Sequence, residues 1–202
     1  MTPRLVLAST SRYRRELLER LRVDFGVISP EVDESPHVGE APSALAVRLA
    51  RDKAVAGARR DRDAIVIGSD QVCEFEGTAF GKPGSHDAAI EQLRRFSGRE
   101  AAFHTAVAVA RDAGAWVEHD LATVRVRFRV LDDASIERYL RIEQPYDCAG
   151  SAKSETLGIA LLESIESDDP TALVGLPLIR SCRLLRAAGF DPLRHASTSS
   201  SP

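Results

Sequence analysis

The chain has 202 residues, of which 44% are hydrophobic and 28% are charged, proportions typical of a globular protein rather than a disordered or fibrous one. A chain of this length can bury about 70% of the surface that its unfolded form exposes, so we expect one substantial core. The formal net charge of −3 excludes a broad cationic surface that would hold nucleic acid polymers nonspecifically. An anionic ligand must therefore be bound by a local group of cations.

The cysteines and the N-terminal sequence bear on where the protein works. The three cysteines are widely spaced and form no CxxC motif, which argues against a disulfide framework and against a zinc site. The N-terminus lacks the layout of a signal peptide, and no run of about 18 apolar residues occurs. We therefore expect a cytoplasmic protein that does not enter a membrane.

The first half of the chain alternates between strand and helix patterns. Residues 4–9 and 64–68 are short apolar runs typical of strands buried on both faces, and residues 43–60 show helical spacing. The first run leads into a helix whose apolar side chains recur at helical spacing: Tyr13, Leu17, Leu18 and Leu21. This order predicts an α/β fold with a parallel or mixed sheet covered by helices on both faces.

The second half begins with a different pattern, because residues 123–130 alternate apolar and polar side chains. One face carries Val124, Val126, Phe128 and Val130, and the other carries Arg125, Arg127 and Arg129. This alternation predicts a half-exposed antiparallel strand. Helices are expected over residues 133–143 and 177–188, with a loop and a strand between them. Residues 1–192 should form a single domain, and residues 193–202 a frayed, low-complexity tail.

The first candidate site is the turn ASTSRYRR at residues 8–15. Three hydroxyl side chains precede a helical turn that holds Arg12, Arg14 and Arg15. Cations at the positive end of a helix dipole each cost roughly 0.3–1 kcal/mol, whereas a bound anion would turn the same arginines into ligands. The pattern therefore indicates a phosphate site, and arginines that extend into solvent are the alternative.

Lysine is rare in this sequence, since only three of the 27 basic residues are lysines: Lys53, Lys82 and Lys153. A compact ammonium group suits a phosphate oxygen or a metal-bound water better than a planar guanidinium does. Lys53 lies four residues after Leu49, on the apolar side of its predicted helix. It is either a buried functional cation or a long side chain that reaches solvent along an apolar surface.

Asp70 follows the apolar run at residues 64–68, and Gln71 comes next. A carboxylate at the end of a strand either caps its own turn or faces the crevice where open α/β sheets bind ligands. Lys82 in a GKPG turn and Glu34 in a proline-flanked loop add further charges. Cations for phosphates, carboxylates for a divalent ion and one carboxylate to activate water are the requirements of metal-assisted phosphoanhydride hydrolysis.

Other chemistries lack their sequence patterns. No GxxxxGK[ST], GxGxxG, HExxH or GxSxG motif is present, and the five histidines are dispersed without ligand spacing. The arginine face of residues 123–130 lacks the interleaved aromatic residues typical of proteins that bind single-stranded nucleic acids. We therefore expect no nucleic acid polymer as a partner.

Seven motifs between about residues 5 and 190 occur in a recognisable order: LVLASTSRYRRELL, EVDE, RLARDKA, VIGSDQV, GKPG, DCAGSAKSETLGI and DDPTALVGLPL. Together they resemble the Maf family of nucleoside triphosphate pyrophosphatases. The resemblance implies a Maf/inosine-triphosphatase-like α/β fold, a mixed sheet flanked by helices, with two lobes around a central cleft.

The resemblance also implies an activity and its residues. A nucleoside triphosphate would be hydrolysed to the monophosphate and pyrophosphate with a divalent cation such as Mg²⁺, Mn²⁺ or Co²⁺, which would dispose of modified nucleotides. Asp70 would accept a proton and, with Glu34, hold the metal ion. Four further residues would line the phosphate region: Ser9, Arg14, Lys53 and Lys82.

Three positions resemble the branch of the family that acts on 7-methyl-GTP rather than the branch that acts on dTTP and UTP: Tyr13, Gln71 and Glu155. N7 methylation makes guanine cationic, so an aromatic ring can stack on it while a carboxylate accepts from its N1–H and N2–H edge. Tyr13 as a core residue and Glu155 as a solvated acid are the alternatives. A dTTP/UTP pyrophosphatase and a non-enzymatic regulator of septum formation remain alternative functions, and a homodimer remains open.

The sequence departs from the family pattern near two of these positions. Arg12, next to Tyr13, stands where the family usually has proline. Ala152 and Thr156 replace an aromatic residue and a glycine on either side of Glu155. The departures therefore bear on base preference more than on the hydrolytic chemistry.

Overall fold

A seven-stranded mixed sheet flanked by helices forms the protein, as described by a computed structural model for residues 3–197. The predicted α/β fold class is confirmed. The strands are β1 (Arg4–Ala8), β2 (Phe25–Ile28), β3 (Ala64–Phe75), β4 (Thr78–Phe80), β5 (Glu100–Arg111), β6 (Trp116–Phe128) and β7 (Leu162–Glu166). The helices are α1 (Arg12–Glu19), α2 (Pro42–Arg60), α3 (His86–Phe96), α4 (Asp133–Glu143), α5 (Leu178–Ala187) and α6 (Pro192–His195).

The sheet has a parallel and an antiparallel part. The strand order is β2-β1-β3-β5-β6-β7, and β4 pairs with the far end of β3. Strand β1 pairs in parallel with β2 and β3, whereas β3, β5, β6 and β7 pair antiparallel with one another. The two uninterrupted apolar runs of the sequence form the parallel part, where both faces of the sheet are covered.

Strand β3 is longer than its apolar run, and this corrects the predicted position of Asp70. The strand continues beyond residues 64–68 because β5 pairs with it as far as Glu74. Asp70 therefore lies within a strand and not at its end. However, β1 ends at Ala8, opposite Gly68, and β4 pairs only from residue 73 onward. One edge of β3 is thus open over residues 69–72, beside Asp70.

Helix α2 covers one face of the sheet and lies unusually close to β3. A Cβ atom on Gly68 would lie 2.3 Å from the Ala50 carbonyl oxygen and 2.4 Å from the Ala54 nitrogen, so only glycine permits this approach. Leu45 and Leu49, two apolar side chains of α2, are buried against the sheet. The close approach brings the adjacent turn of α2, with its Lys53, to the open edge of β3.

The opposite face carries two groups of helices. Helices α1 and α5 pack on a proximal core that includes Ile65 and Ile67 of β3, and α3 and α4 pack on a distal core that includes Cys73 and Phe75. The β3 side chains between these cores, at positions 69 and 71, bind the backbone of residues 172–175 instead of packing in either core.

Several elements differ from the sequence-based expectation. Strands β4 and β5 and helix α3 were not predicted, and the alanine-rich β5 has a low intrinsic strand propensity. The alternation in β6 is confirmed up to Phe128, with Arg125 and Arg127 on the exposed face. Val130 was predicted to be buried but is 84% exposed, because β6 ends two residues earlier.

The C-terminal region bears on the predicted tail. The tail was predicted to begin at residue 193, yet α6 extends to His195, whose ring stacks on Phe190 at 4.2 Å. Residues 198–202 lie outside the described residues. The single domain of two lobes over residues 1–192 stays a prediction. None of the helices between residues 3 and 197 is long and apolar enough to cross a membrane.

Candidate active site

A cavity of about 700 Å³ opens at the free edge of β3. This volume falls within the range of roughly 300–1,000 Å³ that is typical of small-molecule sites. Its lining includes nine of the residues that the sequence analysis selected: Ser9, Tyr13, Arg14, Glu34, Lys53, Asp70, Gln71, Lys82 and Glu155. The fold therefore brings them together from distant parts of the chain, while their individual roles stay predictions.

Lys53 joins the two predicted metal-binding acids. Its Nζ atom donates to Asp70 Oδ1 at 2.6 Å and contacts Glu34 Oε1 at 2.7 Å. Lys53 is 5% exposed and Asp70 is 9% exposed, whereas the Glu34 side chain is largely solvent-accessible. Lys53 is therefore a buried cation bound by two acids, not a side chain that reaches solvent. Asp70 does not cap a turn of its own backbone.

Several cations in the cavity affect the pKa of the Glu34 carboxyl. Burial alone would raise the pKa of the Glu34 carboxyl, but the hydrogen bond and charge of Lys53, with smaller effects of Lys82 and Arg14, lower it below its ordinary value. Glu34 therefore stays ionised at neutral pH, and Lys82 and Arg14 lie close enough to act on the same ligand.

The acids of this cavity fit a divalent ion in one particular way. Between residues 3 and 197, no group of three or more His, Cys, Asp or Glu side chains is arranged to hold a metal ion. Asp70 and Glu34 meet at one ammonium group, and Mg²⁺ is commonly bound by one or two carboxylates together with waters and substrate phosphates. The pair fits an ion that the substrate helps to bind, and does not form a complete protein cage.

The turn into α1 holds two of the predicted phosphate-binding side chains in the cavity, Ser9 and Arg14. The Ser9 hydroxyl accepts from the Ser11 backbone at 3.2 Å and from Arg14 Nη1 at 3.4 Å, and Arg14 Nε donates to the Gly175 carbonyl at 2.9 Å. Burial lowers the pKa of Arg14, and the charges of Asp70 and Glu34 oppose this effect. The Arg14 guanidinium is thus held in the cavity with its direction fixed.

Two of the expected cations lie elsewhere. Arg15, the third arginine of the turn, extends away and pairs with Glu19 on the exposed surface of α1. Lys153 is buried outside the cavity lining, where its Nζ atom donates to the Glu143 carbonyl at 3.2 Å. Lysine at position 153 therefore satisfies the C-terminal end of α4, which is a structural role.

Gln71 faces the cavity but its amide is already engaged. Its Nε2 atom donates to Thr105 Oγ1 at 2.9 Å and to the carbonyls of Ala172 and Leu173 at 3.1 and 2.9 Å. These bonds hold the turn at residues 172–175 against the sheet. In this structure Gln71 positions part of the cavity wall, and its predicted role in base selection stays a prediction.

Tyr13 connects α1 with the loop that follows α4. Its hydroxyl lies 3.4 Å from both carboxylate oxygens of Asp147 and 3.7 Å from Cys148 Sγ. Arg12 Nη2 donates to the same hydroxyl at 2.7 Å. Tyr13 is only half-buried, so it is an accessible cavity residue rather than a core residue. Burial raises the pKa of the neighbouring Cys148 thiol to about 11.

Two loops that carry cavity charges are fixed from outside the cavity. Arg48 of α2 binds Glu40 with two hydrogen bonds of 2.7 and 2.9 Å and donates to the Ser35 carbonyl at 2.9 Å, next to Glu34. The loop of Lys82 is held by Gly84, whose nitrogen donates to the Tyr146 carbonyl at 3.0 Å. The backbones of both loops are therefore held by contacts within the chain itself.

Comparison with known proteins shows the family of the chain. The model of the family described as "Maf-like protein" matches residues 4–188. The chain belongs to the Maf family.

Several similar proteins carry the same description. A protein of Albidiferax ferrireducens called "7-methyl-GTP pyrophosphatase" is 58% identical over 190 residues, covering 94% of this chain and 96% of the relative. Proteins with the same description from a Polaromonas species and from Burkholderia thailandensis are 60% and 58% identical. These matches cover 92% and 98% of this chain, and 84% and 93% of the respective relatives.

Some lining residues of the Maf cavity were missed by the sequence analysis. Asp147 and Cys148 belong to the DCAGS part of a motif that carried the resemblance, and neither was selected as a site residue. Arg12 was selected with the phosphate turn and noted as a departure from the family pattern, but not as a neighbour of Asp147. Only the three-dimensional contact between α1 and the loop at residue 147 shows that Arg12 and Asp147 meet.

Proposed function

We propose that this Maf protein is a cytoplasmic nucleoside triphosphate pyrophosphatase that hydrolyses 7-methyl-GTP to 7-methyl-GMP and pyrophosphate. The observation that carries the proposal is the Lys53 ammonium held between Asp70 and Glu34 within the nucleotide-sized cavity. The description shared by these three relatives supports the same reaction. Disposal of modified nucleotides would be its biological role.

The cavity offers different chemistry for the two ends of the substrate. Arg14, Lys53 and Lys82 would neutralise the triphosphate, with the Ser9 hydroxyl as a further hydrogen-bonding group. Tyr13 and Glu155 line the same cavity and would contact the base. A cationic purine favours an aromatic face and a carboxylate together, and a neutral pyrimidine gains less from either.

Asp70 and Glu34 would hold the divalent cation, which when bound neutralises phosphate charge and makes water more acidic. The residues of the chain then have separate tasks. Lys53 keeps the two acids oriented toward a common point, and Arg14 is fixed by its bond to the Gly175 carbonyl. Such pre-positioned groups lower the barrier because they need little rearrangement during the reaction.

In the proposed step, Asp70 takes a proton from a water molecule whose oxygen attacks the α-phosphorus. A new bond forms between that oxygen and the α-phosphorus, and the bond from the α-phosphorus to the oxygen that bridges it to the β-phosphorus breaks. Pyrophosphate leaves with the electron pair of the broken bond, while Lys53 and Lys82 neutralise its charge. The nucleoside monophosphate is the other product.

A nucleotide panel tests the proposed function. Purified protein with Mg²⁺, Mn²⁺ or Co²⁺ would be assayed for pyrophosphate release from 7-methyl-GTP, GTP, dTTP and UTP. We expect 7-methyl-GTP to give the highest kcat/KM. A preference for dTTP or UTP would instead assign the protein to the pyrimidine branch. Nucleotide binding without metal-dependent hydrolysis would favour a non-enzymatic regulator.

Glu155 can be tested in the same assay. Replacing it by alanine removes the carboxylate that would accept from the guanine edge, so Glu155→Ala should lower kcat/KM for 7-methyl-GTP far more than for UTP. A good hydrogen-bonded base contact is worth about 1–3 kcal/mol, which corresponds to roughly a 5- to 150-fold effect. Equal losses on both nucleotides would reject base recognition by Glu155. Size-exclusion chromatography with light scattering would measure the oligomeric state of the same samples, since a homodimer remains a prediction.

A further inference from the structure

A cationic side chain of the protein itself lies over the aromatic ring at the base end of the cavity. The Arg12 guanidinium carbon is 4.7 Å from the centre of the Tyr13 ring, and Arg12 Nη2 donates to the Tyr13 hydroxyl. The same Nη2 atom is 3.9 Å from Asp147 Oδ2. A planar cation, an aromatic ring and a carboxylate therefore meet at one place in the cavity lining.

This group resembles what a methylated purine requires. A 7-methylguanine base is a planar cation, and its favourable neighbours are an aromatic ring at its face and a negative charge nearby. Arg12 supplies a planar cation, and Tyr13 and Asp147 supply the two neighbours. All three side chains line the same cavity as Glu155.

The position of Arg12 is unfavourable for a helix considered by itself. Arg12 is the first residue of α1, where the helix dipole disfavours a positive charge. Its partners compensate for this cost, but its side chain is 64% exposed and that of Asp147 is 54% exposed. Exposed ion pairs contribute about 0–1 kcal/mol, so a ligand with comparable chemistry can replace Arg12 at low cost.

We propose that Arg12, Tyr13 and Asp147 form a cation-recognition site in which the Arg12 guanidinium occupies the place of the cationic base until the nucleotide binds. The identity of that base as 7-methylguanine rests on the proposed function. Asp147 is then a specificity-determining residue in addition to Glu155, and Arg12 is a competitor that the base displaces.

The proposal explains how methylated and unmethylated guanine would be distinguished. A cationic base that displaces Arg12 replaces one positive charge by another, so Asp147 keeps a counter-ion. A neutral guanine removes the guanidinium without replacing its charge, and Asp147 is left without a close cation. Both bases can stack on Tyr13, so the difference between them comes mainly from Asp147.

Equilibrium binding tests Asp147 without hydrolysis. Calorimetry would compare 7-methyl-GMP and GMP on the wild type and on Asp147→Asn, which keeps the shape and removes the charge. We expect the preference for 7-methyl-GMP over GMP to shrink about two- to fivefold, because GMP should bind more tightly once its entry no longer leaves a carboxylate without a counter-ion. Binding of 7-methyl-GMP, which exchanges one cation for another, should change by less than about twofold. Equal weakening of both nucleotides, or no change in either, would overturn the role of Asp147. Asp63→Asn is the matched control, since Asp63 is exposed and lies outside the cavity lining.

Arg12 gives a second test with the opposite sign. If the guanidinium competes with the base, Arg12→Gln should bind 7-methyl-GMP about two- to fivefold more tightly than the wild type. Weaker binding of both nucleotides would mean that Arg12 is a phosphate ligand, and unchanged binding would mean that it does not compete. Either result overturns the proposal. Arg62→Gln, an exposed arginine outside the cavity, is the control.

These measurements separate the inference from the proposed function. A wild type that hydrolyses only pyrimidine triphosphates but binds 7-methyl-GMP more tightly than GMP would contradict the function and leave the cation site intact. A wild type that hydrolyses 7-methyl-GTP while Asp147→Asn keeps the full preference for the methylated base would contradict only the cation site.

Discussion

Lys53 is the residue on which the arrangement of charges depends. It is buried between two acids, and removal of one partner from a buried ion pair typically costs about 3–5 kcal/mol because the remaining charge is left uncompensated. Here the ammonium has a second partner in Glu34, so loss of the Asp70 charge alone leaves it partly compensated. Asp70 can therefore be tested without unfolding the protein.

Replacing Asp70 by asparagine separates proton transfer from structure. The amide oxygen can still accept from Lys53, but it cannot take a proton from water at neutral pH. We expect Asp70→Asn to keep the fold and to lower kcat by about 10²–10⁴-fold, the usual contribution of a general base. Circular dichroism checks the fold, and single-turnover pyrophosphate release checks the rate. A near-normal rate would remove Asp70 from the proton-transfer role, and Asp63→Asn should match the wild type.

The sequence indicates which residues line the cavity where their chemistry is unusual for their position. Lys53 was recognisable because lysine is rare in this chain and lies on an apolar helix face, and Asp70 because a carboxylate interrupts an apolar strand. Asp147 carries no such local signal. Its neighbour Arg12 is 135 residues away in sequence, and only tertiary structure shows their contact.

At the scale of elements, α2 holds both Lys53 and the loop that carries Glu34. Arg48 is responsible for the second contact, since it binds Glu40 and the Ser35 carbonyl. Hydrogen bonds from Arg48 and the His37 backbone lower the pKa of the Glu40 carboxyl to about 2. The loop is therefore fastened by an ion pair whose strength depends on pH.

The sign of this dependence gives a prediction. A carboxyl with a pKa lowered by folding stabilises the protein above its unfolded-state pKa, and that contribution is lost as the pH falls from about 4.3 toward 2. Glu40→Gln should therefore reduce the free energy of unfolding at pH 7, with the difference from the wild type shrinking as the pH approaches 2. Urea unfolding at several pH values measures the free energy of unfolding of each protein and shows how their difference changes with pH.

The matched control for this experiment is Glu31→Gln, an exposed acid of the same loop with only a distant contact to Arg60. It should follow the wild type at every pH. A difference between Glu40→Gln and the wild type that stays constant from pH 7 to pH 2 would show that the ionised Glu40 carboxylate is not what fastens the loop.

Sequence patterns predicted individual helices and strands better than they predicted which strands pair in the sheet. The helix over residues 133–143 agrees with α4, and the helical and apolar runs gave α2 and the start of β3. The alanine-rich β5 lacks both strong strand propensity and clear alternation, so it was missed. Without β5, the continuation of β3 past Gly68 could not be foreseen, and Asp70 was placed at a strand end.

At the scale of the whole molecule, the long strands β3, β5 and β6 determine whether the proximal and distal cores unfold together. Strand β3 contributes Ile67 to the proximal core and Phe75 to the distal core, and β5 likewise contributes to both. Unfolding of one core would disrupt strands that also form part of the other core. We therefore expect the predicted two lobes to unfold together as one cooperative unit.

Two local probes can test this cooperativity. The single tryptophan, Trp116, packs at the proximal core, and Cys73 is fully buried in the distal core, where burial raises its thiol pKa to about 12. Trp116 fluorescence and alkylation of Cys73, resolved by peptide mass, should give coincident denaturant transitions. Alkylation of Cys73 well below the Trp116 transition would show that the distal core opens independently.

The residues that line the cavity are distributed unevenly along the chain. The groups near Lys53 come from α1, the loop before α2, α2 itself, β3 and the turn after β4, whereas residues 147–155 contribute as one short peptide. Side chains that come from distant parts of the chain must stay mutually compatible when any one of them changes. A short peptide can change as a unit. Divergence toward new nucleobases within this family would thus combine exchanges in this short peptide with changes at Tyr13 and Gln71, while the hydrolytic machinery is left untouched.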